Sequence, residues 1–176
     1  WGRKDPFLGS SSISGPVEAK STGSWPSTVT SSSSNGTIAY ATKNPMTFIT
    51  YNDSNYDWYY TGSSSTDNTR WASKKTVYDP CPAGWRVPDG GSDGVWAKAG
   101  FDDNHAYDDV DKGMLFGSPY CSPAAWYPAS GYRGSSGSLY YAGNIGYYWS
   151  VTPSGSDAYG LGFANNGRVN PSYYNV

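Results

Sequence analysis

Short runs of aromatic and β-branched residues alternate along the second half of the chain with clusters of Gly, Ser and Asn. Runs of this length, bounded by turn residues, are typical of strands that are buried on one side. From residue 114 onward the pattern therefore predicts a meander of strands. Its segments are MLFG at 114–117, AAWYPASGY at 124–132, LYYAG at 139–143, YYWSV at 147–151 and YGLGF at 159–163.

In the first half of the chain, TIAYATK at 37–43 fits either a short helix or a strand. A helix there would end at Asn44, because a residue that precedes proline avoids the α region. MTFITY at 46–51 alternates as a strand does, and residues 52–69 are predicted to form a polar loop dotted with aromatic residues.

A second helix is predicted at residues 92–100. Ser92 is a suitable N-cap, and Gly100 is a typical C-terminal stop. One face of this helix would carry Val95, Trp96 and Ala99.

The chain has the size and continuity of one domain that covers residues 1–176. Neither a linker nor a repeat of fixed period divides it. Residues 9–36 are rich in Ser, Thr and Gly, and they predict a long surface insertion. Helix formers are scarce, since Glu18 is the only glutamate, which favours strands and long loops.

Composition and charge exclude several classes of partner. Charged residues make up 15% of the chain and aromatic residues 17%. The net charge of -2 and the pI of about 5.2 provide no basic surface, which argues against nucleic acid as a partner. No apolar run approaches the roughly 18 residues of a membrane span, so no direct membrane insertion is expected. A secreted chain without its leader fits the sequence, and residence in the cytosol is also compatible with it.

Catalysis is not expected. His105 is the only histidine, so a serine or cysteine nucleophile would lack a second base, and we interpret this histidine as a loop residue. No spacing singles out a pair of carboxylates for glycoside hydrolysis. Cys81 and Cys121 would form a disulfide in an oxidising compartment, remain free or pair elsewhere, and their spacing does not decide between these alternatives.

An acidic stretch is the best candidate for a metal site, because calcium binds several carboxylate and carbonyl oxygens from one loop. It lacks the order of an EF-hand, and the sugar-binding strings of calcium-dependent lectins are absent from the sequence. A solvated acidic loop is the simpler interpretation, so we predict no cofactor and retain calcium as the alternative. The stretch contains Asp102, Asp103, Asn104, Asp108, Asp109 and Asp111.

The string YDPCPAGWRVP at 78–88, followed by Trp96, is the most specific motif in the chain. It resembles the signature of the major-paralogous C-type-lectin-like domains of bacterial surface proteins and fimbrial adhesins. The resemblance implies an α+β, C-type-lectin-like fold with a twisted antiparallel sheet, two short helices and long loops. It also implies a turn that delivers Trp85 and Arg86 into the core beside a helix. Further segments that resemble these domains are WGRKDPF at 1–7, KNPMTF at 43–48, WYPASGYR at 126–133 and YYWSVTPSG at 147–155.

The sequence departs from these domains at both ends. They begin with a strand before the position of Trp1, and they end with a strand that contains an arginine and a cysteine. Without those strands, Cys81 would lack its usual partner and one edge of the sheet would be open.

Some domains of this group are variable proteins of diversity-generating retroelements, in which adenine-directed mutagenesis rewrites a C-terminal stretch. Residues 155–176 resemble such a stretch, within a candidate variable ligand-binding region at 147–176. Substitution at the adenines of asparagine codons yields Tyr, Asp and Ser, the residues present at 156, 157, 173 and 174. The scaffold anchors that would keep inward-facing or turn positions are Tyr147, Trp149, Leu161, Phe163, Val169 and Pro171.

The residues between the anchors are mostly Tyr, Ser, Gly and Asn, as in antibody paratopes. We therefore predict an extracellular or cell-surface ligand-binding domain, an adhesin or receptor-binding domain, whose partner is a surface protein or a glycan. The same composition is also found in exposed strands and turns that bind nothing. The predicted contact residues are Ser156, Asp157, Tyr159, Asn165, Asn166, Asn170, Tyr173 and Tyr174.

Two other functions compete with this prediction. A structural tip or stalk module of a fimbria or phage particle would use its surface for assembly into a larger structure. A glycan-binding lectin would use calcium or an aromatic platform formed by Trp58, Tyr59 and Tyr60.

Overall fold

The computed structural model describes residues 27–51, 57–62, 67–117 and 124–175. The helices in these ranges are α1 (Ile38–Lys43), a 3₁₀ helix (Asn68–Arg70) and α2 (Val95–Lys98). The strands are β1 (Ser27–Thr30), β2 (Thr47–Thr50), β3 (His105–Asp108), β4 (Gly113–Phe116), β5 (Ala125–Pro128), β6 (Tyr132–Arg133), β7 (Leu139–Tyr140), β8 (Ile145–Ser154), β9 (Asp157–Ala164) and β10 (Val169–Asn175).

The strands pair in four ladders within the described part of the chain. β1 and β2 are parallel, whereas β3–β4–β5, β6–β7 and β8–β9–β10 are antiparallel. The prediction of an α+β architecture with many strands and two short helices is confirmed at this level. In the described part of the chain, the expected single twisted sheet is instead divided into these separate ladders.

The core lies where the β3–β4–β5 sheet meets β9. Phe116 stacks on Phe101 with ring centroids 4.2 Å apart, and its ring meets that of Phe163 at 5.7 Å. Trp96 enters from α2, and its indole Nε1 donates a hydrogen bond of 3.1 Å to the Tyr127 hydroxyl. Burial of these rings provides the main favourable contribution to the free energy of folding and so holds the ladders together. The fully buried cluster consists of Trp96, Met114, Phe116, Ala129, Leu161 and Phe163.

The ambiguous segment at 37–43 is a helix. The Thr37 side chain accepts a hydrogen bond from the Tyr40 amide at 3.1 Å and so caps the N-terminus of α1. The helix ends at Asn44, as the following proline predicts. The strand predicted at 46–51 is confirmed as β2.

The helix predicted at 92–100 is much shorter, and its predicted N-cap is wrong. α2 begins after Gly94, which provides no side-chain cap, and Ser92 lies outside it. A Cβ at residue 94 would lie 2.5 Å from the Cα of Gly90, so this close approach of the backbone sets the start of the helix. The expected face does not form, because Val95 and Ala99 are exposed and only Trp96 is buried.

The predicted surface insertion at 9–36 falls largely outside the described residues, and its last part contains a mostly exposed strand. Residues 27–30 form β1, which pairs in register with β2. Ser31 is buried, its amide donates to the Thr50 carbonyl at 2.7 Å, and its hydroxyl donates to the Trp58 carbonyl at 2.7 Å. The end of this segment therefore belongs to the folded structure.

The motif at 78–88 does not place its tryptophan in the core. The Trp85 side chain is 73% exposed, which contradicts the expectation from the resemblance. Arg86 is also exposed, and it binds the carboxylate of Asp89 through two hydrogen bonds of 3.1 and 2.6 Å. Gly84 has a φ of +84°, so the turn itself forms as a glycine there permits.

Asp79 holds both ends of this motif. Its carboxylate is buried and accepts hydrogen bonds from the amides of Cys81 and Val87 at 2.8 and 2.9 Å. Lys75 donates to the same carboxylate at 2.9 Å. Cys81 is a free thiol, and burial is the main cause that raises its pKa. Cys121, its candidate disulfide partner from the sequence, lies outside the described residues.

We expect Leu161→Ala to destabilise the protein, because it would leave a cavity at a fully buried position. The free energy of unfolding, measured by urea denaturation, should fall by about 3 kcal/mol. The control is Trp85→Ala at an exposed site, which should change that free energy by less than about 0.5 kcal/mol. Equal losses in the two variants would contradict this division into core and surface.

We expect the motif around Asp79 to loosen in acid. Burial raises the pKa of this carboxyl, but the hydrogen bonds from Lys75, Val87 and Cys81 outweigh burial and hold the pKa below its ordinary value. The carboxylate therefore stabilises the folded state above the unfolded-state pKa, and this stabilisation is lost as the pH falls through the lower folded-state pKa.

Hydrogen exchange of the Cys81 and Val87 amides measures this effect. Protection of both amides should be present at pH 7 and decrease in acid, and Asp79→Asn should lose it already at pH 7. Asp93→Asn, at an exposed carboxylate, is the control and should keep the protection. Full protection in Asp79→Asn would show that the carboxylate does not hold the motif.

Candidate functional site

The β8–β9–β10 sheet has two chemically different faces, because successive side chains of a strand point to opposite sides. Leu161 and Phe163 of β9 point into the core, and Tyr148 of β8 packs on the Phe163 ring with centroids 6.2 Å apart. Tyr147 and Trp149 alternate with Tyr148, and Trp149 is 44% exposed. The sheet therefore turns aromatic side chains outward as well as inward.

The prediction that Tyr147 and Trp149 are inward-facing anchors is wrong. The register pairs Tyr147 with Gly162 and Trp149 with Gly160, whereas Tyr148 pairs with the buried Leu161. Paired residues share a face, so Tyr147 and Trp149 lie opposite the core. The other predicted anchors, which are buried or pack against the core, are Leu161, Phe163, Val169 and Pro171.

Gly162 forms the floor under a pair of stacked tyrosines. The rings of Tyr147 and Tyr173 lie 4.8 Å apart with an interplanar angle of 25°. A Cβ at residue 162 would lie 3.0 Å from Cε1 of Tyr147 and 3.1 Å from Cγ of Tyr173. Glycine thus allows both rings to rest on the central strand. Asn170, which pairs with Gly162, lies on the same side. We call this side the aromatic face, defined by Tyr147, Trp149, Asn170 and Tyr173.

Three further tyrosines extend the aromatic face. Tyr132 lies 5.6 Å from Tyr140 and 6.0 Å from Tyr141, and the latter two are 6.5 Å apart, all between ring centroids. Their exposed fractions are 38%, 42% and 53% in order of residue number. Tyr147 joins this group through an edge contact with Tyr132 at 5.5 Å. We call Tyr132, Tyr140 and Tyr141 the tyrosine platform.

Backbone contacts fix the platform against β8. The amide of Gly131 donates to the Ile145 carbonyl at 2.7 Å, and Gly131 forms a bridge with Gly146. A Cβ at residue 131 would lie 2.2 Å from the Tyr140 carbonyl oxygen, so only glycine fits between β7 and β8. Tyr141 has a φ of +54°, a left-handed conformation that non-glycine residues seldom adopt. The hairpin is therefore held in one position on the sheet.

The hydroxyls of this surface are held in the neutral form. Partial burial is the main cause that raises the pKa of Tyr132, followed by its neighbours Tyr141, Tyr140 and Tyr173. Burial also raises the pKa of Tyr147 strongly, together with its hydrogen bond to Tyr173. Both hydroxyls therefore remain protonated and able to donate hydrogen bonds over the physiological pH range.

The contact residues predicted from the sequence are divided between the two ends of the sheet. Ser156 and Asp157 lie at the β8–β9 turn, where Ser156 is exposed and Oδ1 of Asp157 is buried without a hydrogen-bond partner among the described residues. Asn165 and Asn166 lie at the β9–β10 turn, at the other end of β9. The eight residues of β9 separate the two turns by roughly 23 Å. The two turns therefore do not form one patch.

The remaining predicted residues lie along the strands. Asn170 and Tyr173 lie on the aromatic face. Tyr159 lies on the opposite side, where its ring is 3.6 Å from the position of a Cβ at Gly91. The backbone of Tyr174 pairs with that of Tyr159 in the register.

Sequence reasoning missed the tyrosine platform and misplaced Tyr147 and Trp149. The signal for the platform is the Tyr-Tyr pair at 140–141, flanked by Gly137 and Gly143, because a short glycine-bounded hairpin exposes most of its side chains. The signal for the aromatic face is the alternation of glycine with large residues in YGLGF, where Gly162 leaves room for rings of both neighbouring strands.

The prediction that His105 is a loop residue is wrong, since it is the first residue of β3. Its Nδ1 lies 3.0 Å from the Phe101 carbonyl oxygen, and its Nε2 lies 2.9 Å from the Gly167 carbonyl oxygen. The imidazole therefore connects the segment after α2 to the β9–β10 turn.

The acidic stretch does not converge on one point. Asp102 and Asp103 precede β3, whereas Asp108 ends it, and Oδ1 of Asp108 accepts hydrogen bonds from the amides of Val110 and Asp111. Among the described residues, no three side chains of His, Cys, Asp or Glu are arranged to hold a metal ion. The carboxylate of Asp108 instead stabilises the β3–β4 turn.

The candidate sugar platform at 58–60 is a packed cluster. Tyr59 meets Trp58 and Tyr78 edge to face at 5.8 and 5.5 Å. The buried Arg70 guanidinium lies 4.7 Å from the Tyr59 ring centroid and binds the Asp57 carboxylate. These residues hold the segment together, and they do not present an open row of rings.

Comparison with known proteins does not provide a function for the chain. No protein family, curated protein or solved structure matches the chain. In the described ranges, no helix combines the length and apolar character needed to cross a membrane.

We expect Gly162→Val to separate the stacked tyrosines while β9 still forms, because valine favours strands but would occupy the space under both rings. The near-ultraviolet circular dichroism of tyrosine should decrease, and the far-ultraviolet spectrum should not change. Ala158→Val on the same strand is the control and should preserve both spectra. An unchanged tyrosine signal in Gly162→Val would contradict the stacking on this glycine.

Proposed function

We propose that this chain is an extracellular ligand-binding domain of the adhesin or receptor-binding type, and that its ligand contacts the aromatic face. We include in this proposal a C-type-lectin-like fold, which the antiparallel ladders, short helices and long connections support. The exposed Trp85 is the feature that departs from the resemblance.

The single observation that carries this proposal is the outward orientation of Tyr147, Trp149 and Tyr173 on a rigid sheet. The core is complete without them, because Leu161, Phe163 and Tyr148 fill the inner face. Exposed aromatic side chains that cluster on a rigid element are the residues that most often dominate binding energy. Tyrosine and tryptophan also lose little conformational entropy when a ligand covers them.

We further propose that the C-terminal region varies between copies of this protein, as in retroelement-diversified proteins. The exposed positions of Ser156, Asn165, Asn166 and Asn170 support this, since substitution at exposed turns and strand positions changes stability little. Sequences from independent isolates would test it. Substitutions should concentrate at these positions and spare Leu161 and its buried neighbours.

A structural tip or stalk module is the second candidate. β10 is at the edge of its sheet in the described part of the chain, and an edge strand is a template for pairing with another chain. Sedimentation of the purified chain separates the two functions, because an assembly module would form concentration-dependent oligomers through this edge.

We expect Trp149→Ala to weaken ligand binding about tenfold or more, because a central exposed tryptophan contributes more than about 1.4 kcal/mol in typical interfaces. Arrays of purified extracellular proteins and glycans would provide the ligands, and titration of each hit would give the dissociation constant. Trp126→Ala is the control, because Trp126 is 42% exposed but belongs to the β3–β4–β5 sheet.

The proposal requires that Trp126→Ala binds every hit as the unaltered chain does. If hits survive Trp149→Ala and Tyr173→Ala at full affinity, the ligand does not contact the aromatic face. A chain that binds no array member and oligomerises through β10 would favour the structural module.

A further inference from the structure

The tyrosine platform and the ring of Tyr147 form an open corner. The platform rings are exposed, their centroids lie 5.6 to 6.5 Å apart, and the interplanar angles between them are 31°, 30° and 39°, so they form one contiguous group of rings with similar inclination. The Tyr147 ring meets that of Tyr132 in an edge contact at 63°, so it is steeply inclined to the Tyr132 ring. This shape accommodates a small rigid ring that has one flat apolar side.

The ring contacts that define the corner are all between tyrosines, so no charged side chain takes part in them. No Asp, Lys or Arg among the described residues contributes to the raised pKa of Tyr132 or Tyr147, whose perturbing neighbours are other tyrosines. Tyr107, on a different sheet, provides the contrast: burial raises its pKa first, but Asp109 and Asp108 raise it further. A charged ligand would therefore find no described side chain of opposite charge here.

Arg133 is the charged residue next to the platform in sequence, and its side chain points away from the platform. Arg133 follows Tyr132 on β6, and successive strand residues point to opposite faces. Its Nη1 donates a hydrogen bond of 2.6 Å to the Gly137 carbonyl oxygen, and its burial lowers the pKa of the guanidinium.

The corner combines apolar rings with neutral polar groups. Each phenol hydroxyl can donate one hydrogen bond and accept others. No hydrogen bond between described residues uses the hydroxyl of Tyr132, Tyr140 or Tyr141. These hydroxyls are therefore available to a ligand that offers both donors and acceptors around its rim.

From this shape and composition we propose that the corner binds a ring of a neutral oligosaccharide, without calcium. A pyranose has a face of C–H groups that can cover the platform and a rim of hydroxyls that can bond the phenols. This inference rests on the proposed recognition function and names its ligand class.

Other ligand classes fit the corner less well. An anionic glycan would lie against the negative faces of the rings and leave its charge unpaired. A quaternary ammonium ion is bound best where rings surround it, and these rings leave the corner open. A proline-rich peptide needs an aromatic groove long enough for several residues.

The test is a titration of the ¹⁵N-labelled chain in the presence of EDTA. The probes are neutral oligosaccharides of glucose, galactose, mannose, xylose and N-acetylglucosamine, with a sulfated glycan, tetramethylammonium and a proline-rich peptide for comparison. We expect at least one neutral oligosaccharide to shift the amide signals of residues 132, 140, 141 and 147 saturably. Tyr140→Ala and Tyr141→Ala should each weaken that binding about tenfold.

Two further variants make the result specific. Tyr140→Phe keeps the ring and removes one hydroxyl, so it should weaken binding about threefold, less than Tyr140→Ala does. Trp126→Ala, at a residue with the same exposed fraction as Tyr140, should leave binding unchanged. The inference would be overturned if the unaltered chain bound the oligosaccharide without EDTA but not in its presence. It would also be overturned if Tyr141→Ala bound with full affinity.

The outcomes separate this inference from the function on which it rests. If only tetramethylammonium, the sulfated glycan or the peptide shifts the amide signals of the corner residues, the neutral-sugar inference fails and recognition by this surface stands. If a protein binds through Trp149 while no oligosaccharide binds, the inference again fails alone. If neither the corner nor the aromatic face binds any probe or array member, both fail.

Discussion

The structure depends on the alternation of small and large residues along the central strand β9. Leu161 and Phe163 lie on the inner side of the sheet, while Gly160 and Gly162 leave the middle of the outer side of β9 without side chains. Because the strand period is two residues, a slip of one residue would exchange these roles and expose the core leucine. The register with β8 and β10 therefore decides both the stability of the fold and the identity of its outer surface.

From this constraint the outer aromatic surface follows by geometry. The middle of the outer side of β9 carries no side chain, so rings from β8 and β10 can lie across Gly162 and stack on each other. At a second place, the β6–β7 hairpin approaches β8 where Gly131 bridges Gly146, and this approach extends the aromatic surface with the tyrosine platform. One rigid layer thus separates a core that maintains the fold from aromatic side chains that the fold does not require.

Local patterns in the sequence predicted much of the fold, because turn residues and apolar runs act over short distances. Asn44-Pro45 marked the end of α1, and YGLGF marked β9. The pattern failed where a distant backbone decides the outcome, as at Gly94, which starts α2 against Gly90, and at Trp85, which lies outside the core. For the candidate site, the sequence reversed the orientation of Tyr147 and Trp149, since every residue of an aromatic strand is a plausible core residue until its register is known.

The most direct test of this account is the set of nuclear Overhauser contacts made by the Cα protons of Gly162. The register described above places these protons next to the rings of Tyr147 and Tyr173, so we predict contacts to both rings and none to Phe116. Contacts between Gly162 and the core rings, with Leu161 facing solvent, would show that the sheet has the opposite sidedness and would contradict the account.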